Sequence, residues 1–160
     1  MRIFYFFVLL FFAWNSGFAN ELKLTTNPDA VCNNGKQATF TIKKAKSKKW
    51  AIILPGGGVA RNADEYKSRS DGMKSPELKP HYFGQAIEKD VEDKNYNMVF
   101  IPYCSSDLYQ GNHFNIVDGK EIPFKGRVIV NDVIDQLDEQ LKKADEIMFL
   151  GYSAGAIGIG

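Results

Sequence analysis

Five residues close to the end of the sequence, Gly151–Gly155, constrain the fold more strongly than any other segment. Their order, Gly-Tyr-Ser-Ala-Gly, matches the Gly-x-Ser-x-Gly pattern, in which a sharp turn from a strand into a helix exposes a serine hydroxyl. A strand-like run at residues 146–150 precedes the motif, and small residues follow it, as a tight turn into a helix requires. We therefore predict a nucleophile elbow with Ser153 as the nucleophile.

Buried strands that alternate with helices predict an α/β fold with a mostly parallel sheet. The strand-like segments are residues 38–42, 50–54, 97–103 and 146–150. A β-hairpin is predicted over residues 114–124, with a turn at Asp118-Gly119-Lys120. Together with the elbow, this order of elements predicts a single domain with an α/β-hydrolase fold.

The strongest helical pattern lies between the hairpin and the last strand. Apolar residues recur at helical spacing on one face: Val130, Val133, Ile134, Leu137 and Leu141. Charged residues take the opposite face: Asp132, Asp135, Glu139, Lys142 and Lys143. Shorter helices are predicted within residues 61–80 and over residues 81–90.

Residues 1–19 have the pattern of a secretory signal peptide. The basic Arg2 precedes an apolar run of about twelve residues, and Gly17 and Ala19 supply the small residues that a signal peptidase requires. A membrane anchor is the alternative, but it needs about 18 or more apolar residues. We therefore predict cleavage after Ala19, a secreted or periplasmic protein without a stable membrane anchor, and a domain over residues 20–160.

The charge and the cysteine content limit which partners, cofactors and cross-links the chain is expected to have. The formal net charge is +1 at pH 7, so nothing points to a nucleic acid partner. The basic run at residues 43–49 is interpreted as a solvated hairpin tip, with a polyanion-binding patch as the alternative. Cys32 and Cys104 form either a disulfide, as an oxidising compartment favours, or two separate buried thiols. Two cysteines and two histidines at scattered spacing give no zinc signature, and neither a metal nor a cofactor is predicted.

A serine nucleophile also needs backbone donors for the oxyanion that forms when it attacks a carbonyl. The elbow supplies the N–H of Ala154, and a glycine-rich loop after an earlier strand is expected to supply a second donor. Residues 56–58 form such a glycine loop directly after the strand-like run at 50–54. The alternative is a plain turn, because glycine triplets are common in turns. A phosphate-binding loop is not predicted, since the sequence lacks the glycine patterns of such loops.

The base and the acid of the predicted fold come after the serine, in the order Ser, Asp or Glu, His. Only five residues follow Gly155, and none of them is acidic or histidine. His81 and His113 precede Ser153 and are interpreted as surface or loop residues. Asp107 is interpreted as a loop-capping or hydrogen-bonding residue rather than the catalytic acid. The sequence therefore predicts a domain that is C-terminally truncated after the elbow and lacks the Asp and His of the triad.

Several segments, in their order and spacing, resemble the pectin acetylesterase/Notum family of secreted carboxylesterases. They are Cys32–Gly35, Leu54–Gly58, Asn97–Asp107 with Gly111, Phe124–Gly126 and Gly151–Gly155. The resemblance covers about residues 30–160. It implies an α/β-hydrolase fold and the hydrolysis of a carboxylic ester.

The resemblance also implies roles for individual residues. Ser153 matches the family's nucleophile, and Cys32 and Cys104 match a disulfide. The backbone oxyanion donors of the family match Gly57, Gly58 and Ala154. Family substrates are acetyl groups on pectin and, in animals, a lipid ester on a secreted signalling protein. The expected partner is therefore an acylated or acetylated ester.

The chain departs from the family pattern near the predicted site. Gly58 and Tyr109 stand where tryptophan is usual, the cysteine expected at Val59-Ala60 is absent, and Ala156 replaces a glycine. These changes bear on substrate specificity and leave the backbone donors intact. We therefore predict the N-terminal part of a secreted serine carboxylesterase, with a truncated, non-catalytic secreted binding module as the alternative.

Overall fold

The computed structural model describes residues 20–76 and 85–160. The predicted signal peptide at residues 1–19 and His81, which is interpreted as a surface or loop residue, lie outside the described residues. The strands are β1 (Glu21–Leu24), β2 (Thr39–Lys43), β3 (Lys49–Leu54), β4 (Asn97–Phe100), β5 (His113–Val117), β6 (Lys120–Phe124) and β7 (Glu146–Gly151). The helices are α1 (Ala63–Ser68), α2 (Gln85–Asp93), α3 (Gly126–Leu141) and α4 (Ala154–Ile159), with a 3-10 turn at Asp71–Met73. Five of these strands form a mixed sheet in the order β1-β2-β4-β3-β7, and β5 and β6 form a separate hairpin.

Strand β3 pairs in parallel with β4 on one side and with β7 on the other. It is apolar after its first residue because both of its faces are covered. Trp50, Ile52 and Leu54 face the main core with α3, whereas Ala51 faces a smaller cluster with Val91 of α2. The parallel arrangement predicted from the sequence holds for these three strands, and β1 and β2 add an antiparallel edge. The carboxyl ends of β3 and β7 consequently lie side by side.

The basic run at residues 43–49 connects β2 to β3, but it is not a hairpin tip. Strand β4 lies between those two strands, so the run passes over the start of β4. The side chain of Asn97 accepts a hydrogen bond from the N–H of Ala45 and donates to the carbonyls of Ser47 and Lys49, each at 2.9 Å. The hairpin interpretation is wrong because a strand from later in the chain takes the intervening position in the sheet.

The hairpin predicted over residues 114–124 is present as β5 and β6. Its two turn residues, Asp118 and Gly119, have φ values of 50° and 75°. Positive φ at both positions is the requirement of a type I′ turn, whose twist matches that of the flanking strands. The Asp-Gly pair in the sequence was therefore a reliable signal for this turn.

Helix α3 packs its apolar face on the sheet as predicted, and Ile129 joins the buried residues. Asp132 departs from the predicted exposed face, because only 6% of its surface is exposed. Its carboxylate accepts hydrogen bonds from the N–H groups of Thr26 and Asn27 and from the side chain of Gln136, each at 2.8 Å. Asp132 thereby ties the segment after β1 to the helix.

Replacing Asp132 with asparagine should destabilise the protein at neutral pH by about 1–3 kcal/mol, because buried N–H groups lose a charged acceptor. Desolvation favours the neutral carboxyl, but the hydrogen bonds from Thr26, Gln136 and Asn27 outweigh it and lower the pKa of Asp132. The stabilisation is therefore fully present above the unfolded-state pKa of about 3.9 and is lost as the pH falls through the folded-state pKa. Urea unfolding at about pH 7 and about pH 3 measures this difference.

The matched control for this variant is Asp135→Asn, since Asp135 lies on the same helix and is exposed. We expect the control to change the free energy of unfolding by less than about 0.5 kcal/mol at either pH. An equal effect of the two substitutions at neutral pH would contradict the role assigned to Asp132.

Cys32 and Cys104 form a disulfide between two buried segments that are 72 residues apart in the sequence. The N–H of Asn33 donates to the carbonyl of Cys104 at 2.9 Å, and the Asn33 side chain donates to the carbonyl of Ser105 at 2.9 Å. In the chain-entropy description, closing a loop of this length stabilises the fold by up to about 4 kcal/mol. The disulfide also fixes the loop that follows β4, next to the elbow described below.

Candidate active site

Ser153 lies in the turn between β7 and α4, where the sequence predicts a nucleophile elbow. Its backbone has a φ of 52° and a ψ of −114°, a combination that a residue with a side chain rarely adopts. The residue is exposed, whereas the following Ala154 and Gly155 are buried. Strain at an exposed serine between a strand and a helix is the geometry of a nucleophile elbow.

Two glycines make this sharp turn possible. A Cβ at Gly155 would overlap the carbonyl group of Leu54, the last residue of β3, and a Cβ at Gly151 would overlap the backbone of Gly155. Hydrogen bonds from the N–H of Gly155 to the carbonyl of Tyr152 and from the N–H of Tyr152 to the carbonyl of Leu54 close the turn. The elbow is thus held against the carboxyl end of β3.

The glycine loop that follows β3 lies directly beside Ser153. A Cβ at Gly56 would stand 2.9 Å from the Cβ of Ser153 and 2.9 Å from the carbonyl oxygen of Tyr152. Gly58 has a φ of 70°, in the region that favours glycine. The structure therefore brings together the two motifs that the sequence predicts to share an oxyanion, although they are about a hundred residues apart.

Tyr103, which follows β4, supports the glycine loop from behind. Its hydroxyl donates to the carbonyl of Gly58 at 2.8 Å and accepts from the N–H of Leu108 at 2.7 Å. Burial raises the pKa of Tyr103, so its phenol stays neutral and remains a donor. Its ring also occupies the position that a Cβ at Gly57 would need. The sequence does not predict this role, although Tyr103 belongs to the segment Asn97–Asp107 that carries the family resemblance.

Tyr109 also lies behind the glycine loop. It is 3% exposed, and its hydroxyl contacts the carbonyl oxygens of Pro55 at 3.2 Å and Ile101 at 3.1 Å. The backbone of Tyr109 and those of its neighbours Ser106 and Leu108 all have φ near 60°, which is uncommon for residues with side chains. The strained loop places this aromatic ring against the loop that carries the predicted oxyanion donors.

Asp107 organises the start of α3. Its carboxylate accepts hydrogen bonds from the hydroxyl of Ser105 at 2.5 Å, the N–H of Gly126 at 2.7 Å and the N–H of Tyr109 at 3.0 Å. Burial raises the pKa of Asp107, and these hydrogen bonds only partly oppose the shift. The contacts are those of a loop-capping residue, which is the interpretation that the sequence favours over a catalytic acid.

His113 lies at the start of β5, and its ring stacks on that of Phe124 with the ring centroids 5.7 Å apart. Within residues 20–76 and 85–160, no hydrogen bond joins Ser153 to a histidine or to a carboxylate. The described part of the chain therefore places an exposed serine beside a glycine loop, without a base hydrogen-bonded to that serine.

Neither a cluster of metal-binding side chains nor a membrane-spanning helix is found among the described residues. They contain no group of three or more histidine, cysteine, aspartate or glutamate side chains that could hold a metal ion. None of the helices in this part of the chain has the length and hydrophobicity needed to cross a membrane.

A family model and several known proteins match this chain, and they point to the family that the sequence motifs resemble. The Pectinacetylesterase family model matches residues 16–159. The palmitoleoyl-protein carboxylesterase notum1a of Danio rerio is 33% identical over 150 residues, which cover 87% of this chain and 30% of that protein. The palmitoleoyl-protein carboxylesterase NOTUM of Mus musculus shows the same identity and coverage. The inactive palmitoleoyl-protein carboxylesterase notum1b of Danio rerio is 31% identical over 102 residues, or 58% of this chain and 73% of that protein.

The chain thus spans about 30% of the length of the first two relatives. The family match includes the elbow, the glycine loop and both cysteines of the disulfide. The mixed α/β sheet is compatible with the α/β-hydrolase fold that this family implies. The chain belongs to the pectinacetylesterase family, whose members include carboxylic ester hydrolases.

Proposed function

We propose that the complete protein is a serine carboxylic-ester hydrolase with Ser153 as its nucleophile. The observation that carries the proposal is the strained, exposed Ser153 next to Gly56, at the joined ends of β7 and β3. A serine that only terminates a strand needs neither a positive φ nor a neighbouring loop of bare backbone.

The proposed reaction begins with attack of the Ser153 Oγ on the ester carbonyl carbon, while a base removes the hydroxyl proton. The negative charge that develops on the carbonyl oxygen is stabilised by the backbone N–H groups of Gly57, Gly58 and Ala154. Collapse of the tetrahedral intermediate expels the alcohol, which takes a proton, and leaves an acyl group on Ser153. Water then attacks the acyl-enzyme, releases the acid and restores the serine.

The base and the acid are proposed to come from a part of the complete protein that corresponds to the regions of the relatives that this chain does not cover. The fold places the acid and then the histidine after the serine in the sequence, and this chain spans about 30% of the first relatives. The 160-residue chain is accordingly expected to have little or no activity on its own.

The proposed substrate is an acyl or acetyl ester, because the family model names pectin and the relatives' names specify a palmitoleoyl protein. Gly58 has no side chain at the position where the family usually has tryptophan. We expect this difference to change the substrate specificity and not the reaction itself. The proposed location is outside the cytoplasm. The Cys32–Cys104 disulfide supports this location because such bonds persist in oxidising compartments.

Covalent labelling tests the proposed nucleophile. A fluorophosphonate probe should react with the complete protein at a single serine, and tandem mass spectrometry of the digest should place the adduct on Ser153. Prior denaturation should prevent labelling, since the reactivity depends on the folded site. An adduct on a different serine would contradict the assignment. A folded complete protein that does not react at all would favour the non-catalytic binding module.

A further inference from the structure

Arg69 lies immediately after α1, beside the glycine loop. Its guanidinium carbon is 5.6 Å from the centre of the Tyr103 ring, on the tyrosine that holds the carbonyl of Gly58. Its Nη1 atom is 3.6 Å from the position that a Cβ at Gly58 would occupy. Apart from Gly58 and its two chain neighbours, no other described residue has an atom within 4 Å of that position. The open space over Gly58 is therefore bordered by the Arg69 guanidinium.

This guanidinium has hydrogen-bonding capacity that the described residues do not use. Its Nε and Nη2 atoms are buried and have no hydrogen-bond partner among the described residues. An arginine side chain stays charged in proteins. Arg69 as a whole is half-buried, and burying two of its donors without an acceptor is unfavourable unless something compensates for it. A buried donor that lacks an acceptor in this way requires an explanation.

Among the described residues, the carboxylate that acts electrostatically on Arg69 is that of Asp107. Its carboxylate already accepts three hydrogen bonds, from Ser105, Tyr109 and Gly126, and it forms no ion pair with Arg69. By contrast, the exposed Arg61 in the same segment is paired with Glu65 at 2.7 Å. Arg69 therefore differs from its neighbour in having a charge close to the site and no carboxylate partner in the described chain.

On the basis of the esterase function proposed above, we propose that Arg69 is a specificity-determining residue that binds a carboxylate of the ester substrate beside Gly58. Planar carboxylates match the donor geometry of a guanidinium, which can form two parallel hydrogen bonds. A carboxylate that covers Gly58 would meet Nη1, and it would reach the buried Nη2 as well only after the guanidinium rotates. The bound carboxylate then supplies the missing counter-ion.

A pair of esters that differ only in this charge tests the proposal. The substrates are O-acetylated galacturonic acid and its uncharged methyl ester, assayed with the complete protein by acetate release. The wild-type protein should hydrolyse the charged member with a kcat/KM at least about tenfold higher. Arg69→Gln should lower kcat/KM for the charged ester by about 10- to 100-fold and change the neutral ester by less than about threefold. Arg69→Lys should give an intermediate loss on the charged ester, because it keeps the charge without the planar fork.

The matched control is Arg61→Gln, which removes an exposed arginine from the same segment and should leave the preference for the charged ester unchanged. An equal loss on both esters in Arg69→Gln would show that Arg69 only supports the loop, and would overturn the proposal. Equal rates of the wild-type protein on the two esters would overturn it without any variant. Failure of the esterase function itself gives a different result, namely no acetate release from either ester and no fluorophosphonate adduct on Ser153.

Discussion

Replacing Ser153 with alanine should abolish ester hydrolysis by the complete protein, with a loss in kcat of about 10⁴-fold or more. The substitution removes the oxygen that forms the acyl-enzyme, while the backbone donors remain and can still polarise a bound carbonyl. The strained turn does not depend on the hydroxyl, because the flanking glycines and the contacts with Leu54 define it. Hydrolysis of a chromogenic acetyl ester, with circular dichroism as the check on folding, measures the effect.

The control for this substitution is Ser68→Ala, which changes an exposed serine at the end of α1 and should leave kcat within about twofold. A Ser153→Ala variant that is folded and keeps the wild-type rate would exclude Ser153 as the nucleophile. The assignment of the elbow as the active site would then have to be abandoned.

Replacing Gly57 with alanine should lower kcat/KM by about 10²–10³-fold, the usual cost of losing one oxyanion donor. A Cβ at this position would overlap the ring of Tyr103 and the methyl group of Met73, so the loop backbone has to move. Moving it turns the N–H groups of the loop away from the carbonyl oxygen beside Ser153. Steady-state kinetics on the same acetyl ester would separate this effect from binding, since the loss should fall mainly on kcat.

Gly119→Asn is the control, because a Cβ at this hairpin turn meets no atom within 4 Å and asparagine tolerates the positive φ of 75°. We expect this variant to keep the wild-type kinetics. If Gly57→Ala were folded and fully active, the glycine loop would not provide the oxyanion donors. Loss of folding in Gly57→Ala would instead be visible in the circular dichroism spectrum. The double variant Gly57→Ala/Met73→Ala, which lacks the overlap with the Met73 methyl group, would then be measured in its place.

The parts of the fold that depend on local sequence were predicted well. The turn at Ser153, the hairpin of β5 and β6 and the apolar face of α3 each follow from residues that are close together in the sequence. The predicted strand at 97–103 is shorter in the structure, because β4 ends at Phe100 before Pro102. Pro102 has no N–H to donate to a sheet, so the ladder stops near it.

The parts that depend on distant residues were predicted less well. Strand β1 was not predicted, because its four residues alternate too briefly and gain their order by pairing with β2. The connection at residues 43–49 was assigned to a hairpin because sequence order does not reveal that β4 inserts between β2 and β3. Asp132 was placed on an exposed face because the residues that donate hydrogen bonds to it, Thr26 and Asn27, are more than a hundred residues away in the sequence.

In the candidate site too, the features set by local sequence were predicted, and the contacts between distant residues were not. The sequence by itself determined the nucleophile motif and the glycine loop, since a tight turn and a bare backbone each need particular residues at fixed spacing. Only the tertiary structure decided that Gly56 lies against Ser153, that Tyr103 holds Gly58, and that the Arg69 guanidinium borders the open space above it. Parallel pairing of β3 with β7 is the physical reason, because it places the ends of two strands far apart in sequence at one edge of the sheet.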